Sequence, residues 1–322
     1  MKKAVSLVQP PAALLAEVAM QVGRPVLPEL NALADQASAR FGEAVIAVLF
    51  YGSCLRSGNP SEGLVDLYLI VDDYARAHPN LLLRWANICL PPNVYLLQAH
   101  TDDGKILQAK CALLTLEDFE RGTACWFQSY LWGRFAQPSR LVRSKDAFVA
   151  QRIHAALARA VLTLLSRTIP CLPEYFTADT LWHRALSLSY GTELRPEAAR
   201  RPTELLEYDR NYYHHLFLAA LPMLDGVKRN ADKIDGYRNL SANPDYLKSQ
   251  REWKLRRTQG RLLNVLRLVK SVFTFDNGVD YVAWKLERHT GQVLEITPRL
   301  RRYPLIFCWP ILWRLLKERH LR

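Results

Sequence analysis

Two regimes of apolar spacing divide the chain. Before about residue 115, short apolar runs rich in β-branched and aromatic residues alternate with polar segments carrying Gly, Pro, Asn and Asp, the pattern of strands and turns. Ala44 to Phe50 (AVIAVLF) predicts a buried strand, and Leu64 to Val71 a second. Asn93 to Ala99 and Ile106 to Thr115 predict a further pair, joined across a hairpin-like turn at Thr101-Asp102-Asp103-Gly104. Residues 12 to 41 carry helical periodicity in one or two segments ahead of the first strand. From Glu117 onward the pattern is helical. Residues 146 to 168 predict a long amphipathic helix, capped by Asp146 and closed before Pro170. Asp179 to Tyr190 and Glu204 to Leu224 predict two more. The expected fold class is α+β: an N-terminal mixed sheet with flanking helices over 1–145, a helical domain over 146–245, and a basic C-terminal region over 246–322.

The segment with the most chemistry is Tyr51 to Asp73, YGSCLRSGNPSEGLVDLYLIVDD, which sets a Gly-Ser turn after the first strand and an aspartate at the head of the second. Gly52 lets the backbone approach a polyphosphate, and Ser53 adds a hydroxyl and an amide donor. Asp66 opposite that turn is what a divalent cation needs to bridge protein and nucleotide. This is the outline of a nucleotidyltransferase site with one departure. Two carboxylates at i and i+2 are the usual metal pair, whereas Leu64 and Tyr68 flank Asp66 at those spacings. Asp72 has the same parity, but six residues of strand carry it about 20 Å away.

Charge adds an anionic partner to this picture. The formal net charge is +12, and residues 251 to 322 hold sixteen Lys/Arg against six Asp/Glu. Arg256, Arg257, Arg261, Arg267 and Lys270 predict one basic helix, suited to nucleic acid or to an acidic membrane surface. Pro298 to Arg322 sets Arg299, Arg301 and Arg302 before an eleven-residue apolar, aromatic run, and Arg314, Lys317 and Arg319 after it. That run is too short to span a bilayer and suited to lie in its interface; the alternative is a terminal helix packed on the protein's own core. No apolar run approaches the ~20 residues of a spanning helix, and the N-terminus lacks a signal-peptide core, which sets the expected location in a bacterial cytoplasm. The six cysteines form no CxxC pair and the eight histidines no HExxH, so neither a zinc site nor a disulfide framework is indicated.

Several ordered blocks carry a family likeness. Tyr51-Gly52-Ser53 is followed by Leu64 to Asp73, then by His78, Asn80, Leu81 and Trp85, Asn93-Val94-Tyr95, and Lys110. Tyr130, Gly133, Arg134 and Pro138 come next, then Leu172-Pro173-Glu174, Asp179 with Leu181, and Leu188-Ser189-Tyr190 with Arg195. In this order they resemble the mitochondrial phosphatidate cytidylyltransferase family, the translocator assembly and maintenance type of CDP-diacylglycerol synthase, over roughly residues 50 to 220. The chain departs from it in having Asn93 where glycine is usual, a shorter insertion before Asp66, and no matching block over 225–322.

The resemblance implies a nucleotidyltransferase-like sheet and transfer of the cytidylyl group of CTP to phosphatidic acid, with Mg²⁺, giving CDP-diacylglycerol and pyrophosphate. It implies a peripheral protein of an anionic membrane surface, on the bacterial inner membrane or the matrix face of the mitochondrial one, with nucleic acid not a partner. Asp66, Lys110 and Arg134 are the implied catalytic residues. Tyr51, Gly52, Ser53, His78, Tyr190 and Arg195 are the implied nucleotide contacts, and Asp66, Asp72 and Asp73 the implied metal ligands. Plain structural roles stand beside these. Asp66 caps a turn, Asp72 and Asp73 close a strand, Arg134 pairs with a carboxylate such as Asp118, and His78, Trp85 and Tyr190 pack. Two other functions fit the same residues: a nucleotidyltransferase acting on another lipid phosphate or an RNA end, and a catalytically silent membrane-binding assembly factor.

Overall fold

The computed structural model describes residues 7–60, 64–101, 104, 106–194, 200–230, 235–241 and 243–274. Arg195, much of the turn at residues 101–104, and the basic aromatic tail at 298–322 lie outside them. The helices are α1 (Ala12–Val22), α2 (Glu29–Phe41), α3 (Ser53–Ser57), α4 (Tyr74–Ala77), α5 (Leu81–Cys89), α6 (Leu116–Ala124), α7 (Trp132–Phe135), α8 (Ala147–Thr168), α9 (Ala178–Tyr190), α10 (Arg201–Tyr208), α11 (Arg210–Ala220) and α12 (Asn243–Thr274). The strands are β1 (Val45–Tyr51), β2 (Val65–Val71), β3 (Asn93–His100), β4 (Ile106–Thr115), β5 (Arg140–Ser144), β6 (Tyr175–Phe176), β7 (Val227–Arg229) and β8 (Tyr237–Asn239).

The main sheet is mixed, with order β3-β4-β2-β1-β5, and β2 with β4 is its one parallel pair. The parallel pairing follows from length: α4, α5 and β3 lie between β2 and β4, enough chain to return to the same end of the sheet. β1 and β2 are nearly continuous apolar runs because both of their faces are covered. On one face Val48, Phe50, Leu67 and Leu69 pack against Leu30, Leu33 and Ala37 of α2. On the other, Leu49, Tyr68, Ile70 and Ala112 join a core that continues through Leu157, Leu164, Trp182 and Phe217. The change of element type at residue 146 is therefore crossed by one buried core. α8 is its axis; Asp146 accepts a hydrogen bond from the Val149 amide and starts the helix. By length and composition α8 and the turn after it are apolar enough to cross a membrane, yet most of that stretch is packed inside the fold.

Three elements differ from the expected pattern. The Gly-Ser turn opens into α3, a single turn of helix ended by Gly58 at φ +70°. Arg140–Ser144, a charged RLVRS stretch, is an edge strand, since pairing with β1 leaves its outer side to solvent and basic residues suit such an edge. The expected helix over 204–224 is two helices, because Asp209 interrupts it and caps the second by accepting from the Tyr212 amide.

α12 runs against the 3₁₀ turn at Ile169–Cys171 near one end and against β3 near the other. Trp253 fixes the first contact: its indole N–H donates to the Arg167 carbonyl at 2.9 Å and its ring meets Trp132 edge-on at 5.6 Å. Arg267 and Lys270 fix the second, donating to the Pro91 carbonyl at 2.9 Å and the Pro92 carbonyl at 2.8 Å. The basic helix is therefore not a free cationic track, since Arg256, Arg267 and Lys270 turn inward and leave Arg257 and Arg261 outward. Trp253→Ala is expected to cost about 3–5 kcal/mol of stability. Chemical denaturation measures this, and limited proteolysis of the folded variant should cut within 243–274; an unchanged midpoint would show that α12 is not anchored there.

Candidate functional site

The pairing of the three central strands sets Tyr51, Asp66 and Lys110 side by side in one row. Their parity is that of Tyr68 and Ala112, so all three face the helical side of the sheet. Asp66 is the one residue of β2 that is not buried. Its carboxylate accepts from the Lys110 ammonium at 3.5 Å, and each of the two side chains is about a quarter exposed. Gly52 closes over its other oxygen at φ +95°, where a Cβ would lie 2.5 Å from Asp66 Oδ2. The turn thus needs glycine twice, for its backbone angle and for the approach.

A cleft opens over this row. Gly52, Ser53 and Asp66 form its floor, Gly133, Arg134, Gln137 and Pro138 one wall, and Ser189, Tyr190 and Glu193 the other. Arg56 from α3 and Arg201 from the start of α10 close one end. The walls meet where α7 crosses the end of α9, so tightly that a Cβ on Gly133 would fall 1.9 Å from Ser189 Oγ. Gln137 ties them together, donating to the Gly133 carbonyl at 2.8 Å and accepting from the Tyr190 hydroxyl at 3.0 Å.

Arg134 is present in this cleft as a strut. Its guanidinium donates to both Glu193 oxygens at 3.1 and 3.2 Å and to the Tyr68 hydroxyl at 3.2 Å. It also stacks on Tyr130 at 4.2 Å and Tyr51 at 5.5 Å. Burial opposes its charge, but Tyr130 and Glu193 more than compensate and hold it firmly protonated. Tyr130 has a second cation on it, Arg267 at 4.0 Å. Burial alone would raise the Tyr130 phenol, yet Arg134, Arg267 and Lys110 together pull it below its ordinary value. Tyr51 moves the other way, raised by burial and then by Asp66.

The sequence-expected residues fall into two groups. Tyr51, Gly52, Ser53, Asp66, Arg134 and Tyr190 converge on the cleft, with Lys110 beside Asp66. Asp72, Asp73, His78 and Trp85 do not. Asp72 and Asp73 follow the far end of β2, where Asp72 pairs with Arg76 and Asp73 caps α4 by accepting from the Ala75 amide. His78 lies across the sheet, between Phe41 and Tyr95, with Asn93 Nδ2 at 3.5 Å from its ring nitrogen. Asn93 is the anchor of that corner, donating to the Leu83 carbonyl at 2.9 Å. Trp85 is on an exposed face of α5. Asp118, the expected partner of Arg134, accepts instead from the Tyr74 hydroxyl at 2.8 Å.

Sequence reasoning gave no site role to Arg56, Gln137, Ser189, Glu193 and Arg201. Arg56 had a signal, since three residues of helix place it on the face of Ser53. Arg201 and Glu193 had none: each lies more than a hundred residues from the motif.

For a magnesium ion the donor set is Asp66 and the Ser53 hydroxyl, both hard oxygens. Among the described residues no group of three His, Cys, Asp or Glu side chains forms a self-sufficient cage. One carboxylate fits Mg²⁺ where substrate phosphates and water complete its octahedron.

Burial presses the His78 imidazole down to about 4. The unfolded chain binds that proton near 6.5, so folding stability falls as pH drops from 6.5 toward 4, by about 3 kcal/mol at most. His78→Gln is expected to flatten that part of a urea-melt pH profile. A His78→Gln profile parallel to the wild type would contradict the buried, neutral placement.

No family model matches the chain, and no curated protein is similar to it.

Proposed function

We propose that the chain is a magnesium-dependent nucleotidyltransferase that moves the cytidylyl group of CTP onto phosphatidic acid at a membrane surface. The supporting observation is the half-buried Asp66 beneath the Gly52-Ser53 turn, in a cleft whose end is formed by two arginines. Cytosine and the lipid acceptor come from the family resemblance of the ordered blocks, and the anionic surface from the basic tail.

A phosphate oxygen of the acceptor bonds to the α-phosphorus of CTP while the bond from that phosphorus to the β-bridging oxygen breaks, releasing pyrophosphate. The attacking oxygen is already ionised, so no general base is required. Asp66 would hold Mg²⁺ with help from Ser53, and the ion supplies charge neutralisation for the phosphates. Gly52 lets those phosphates approach the backbone. Lys110 orients Asp66. Arg134 does not need to touch phosphate in this scheme; it keeps Glu193 and Tyr68 in place and so fixes the wall of the cleft.

A second reading has its own support. Glu193, the other carboxylate of the cleft, is held by both oxygens on Arg134, which leaves Asp66 as the acidic group facing the turn. A protein with this arrangement that binds nucleotide without transferring it would serve as an assembly factor on the membrane.

Labelled CTP, Mg²⁺ and phosphatidic acid vesicles distinguish the two. The wild type is expected to form CDP-lipid and pyrophosphate, and Asp66→Ala to lose about a thousandfold in rate, equivalent to ~4 kcal/mol of barrier. Nucleotide and vesicle binding without product, in wild type and variant alike, would exclude transfer and favour the second reading.

A further inference from the structure

Arg56 is half-buried and differs from the arginines packed around α7 and α12. Arg134 has Glu193 and Tyr68, Arg267 has the Pro91 carbonyl and Gln128, and Arg256 has Glu252 and the Phe127 carbonyl. Among the described residues Arg56 has no hydrogen-bond or ion-pair partner. It lines the cleft, with Arg201 near enough to repel it. Burial first, and then the Arg201 charge, lower its affinity for its proton. Arg201 enters from the first turn of α10, where it also donates to Glu204 at 2.9 Å. Two like charges lining one end of a cleft repel each other until an anion lies between them.

We infer that Arg56 and Arg201 form a seat for a phosphate group of a substrate, at the end of the cleft beside the Gly52-Ser53 turn. The guanidinium fork suits a tetrahedral dianion, since two such groups can each offer a pair of parallel N–H donors to its oxygens. The inference rests on the nucleotidyl-transfer reading for its choice of ligand. Within that reading the phosphate has two sources, the polyphosphate of the nucleotide or the monoester of the lipid acceptor. A phosphate in the seat would relieve the repulsion, so its occupancy should bring the start of α10 and α3 together. Arg56 and Arg201 bind and orient substrate in this scheme, holding a group that is not itself rearranged or the acceptor's phosphate before attack.

The experiment is titration calorimetry of the full chain with pyrophosphate, with CTP and Mg²⁺, and with a short-chain phosphatidic acid. Arg56→Gln, Arg201→Gln and Arg56→Lys are compared with Arg210→Gln, which removes an exposed guanidinium paired with Asp179. The two glutamine variants of the seat should weaken at least one probe by about tenfold or more, Arg56→Lys should restore part of it, and Arg210→Gln should match the wild type. Weakened pyrophosphate and CTP with unchanged lipid assigns the seat to the nucleotide; weakened lipid with unchanged CTP assigns it to the acceptor. Circular dichroism establishes folding, and if Arg56→Gln does not fold, Arg201→Gln on the first turn of α10 carries the test. Wild-type affinity for all three probes in the folded glutamine variants would overturn the inference, as would a wild type that binds none of them. A protein that binds probes through Arg56 and Arg201 yet forms no CDP-lipid would remove the transfer reading and keep the seat.

Discussion

The buried guanidinium of Arg134 is the constraint on which the cleft depends. A charge at this depth is tolerated only when its donors are matched, and here the matching groups come from separate parts of the chain: Tyr68 from the central strand and Glu193 from beyond α9. Its flat faces are used as well, by Tyr51 and Tyr130. Tyr130 then carries Arg267 on its ring, which brings α12 into the same stack. Sheet, cleft wall and α12 are held in register by alternating cations and aromatic rings. Removing one partner would strand the others, so the group behaves as a unit and not as a sum of pairs.

This arrangement divides the basic residues of the protein into two populations. Some of the excess positive charge is consumed internally, by Glu193, Glu252 and backbone carbonyls around α12. Others pair with carboxylates at the surface, as Arg152 does with Glu120 and Arg143 with Asp35, and two, Arg56 and Arg201, line one end of the cleft. Net charge read from composition does not separate the two, because a buried and an exposed arginine look the same in a sequence. The same ambiguity explains Arg134, whose residue type suits phosphate and whose burial suits a strut.

Much of the sheet was legible: β1 and β2 are covered on both faces and read as nearly continuous apolar runs, β4 alternates before it becomes apolar, and all three appear at or within one residue of their expected limits. β5 was not legible, since a five-residue edge strand with three charged or polar side chains has no apolar signature. The candidate site was legible in its local part, the Gly52-Ser53 turn and Asp66. Its distant walls were set by packing events such as Gly133 against Ser189, which no spacing encodes. His78 shows the reverse limit: a histidine close in sequence to the motif lies beyond the sheet from it, because α4 carries the chain onto the face packed by Phe41 and Tyr95.

The anchoring of α12 also bears on how the molecule assembles. Its Arg267 reaches Pro91 and Gln128, and its Lys270 reaches Leu90, partners 139 to 180 residues earlier in the chain. Contacts at such separation close large loops and form late relative to local helices and hairpins. A ribosome must therefore pass residue 270 before the aromatic-cation stack is complete, and until then the sheet can exist while the wall of its cleft is still unfastened. Competence to hold a ligand would arrive only when α12 has docked, and not with the earlier segment that carries the motif.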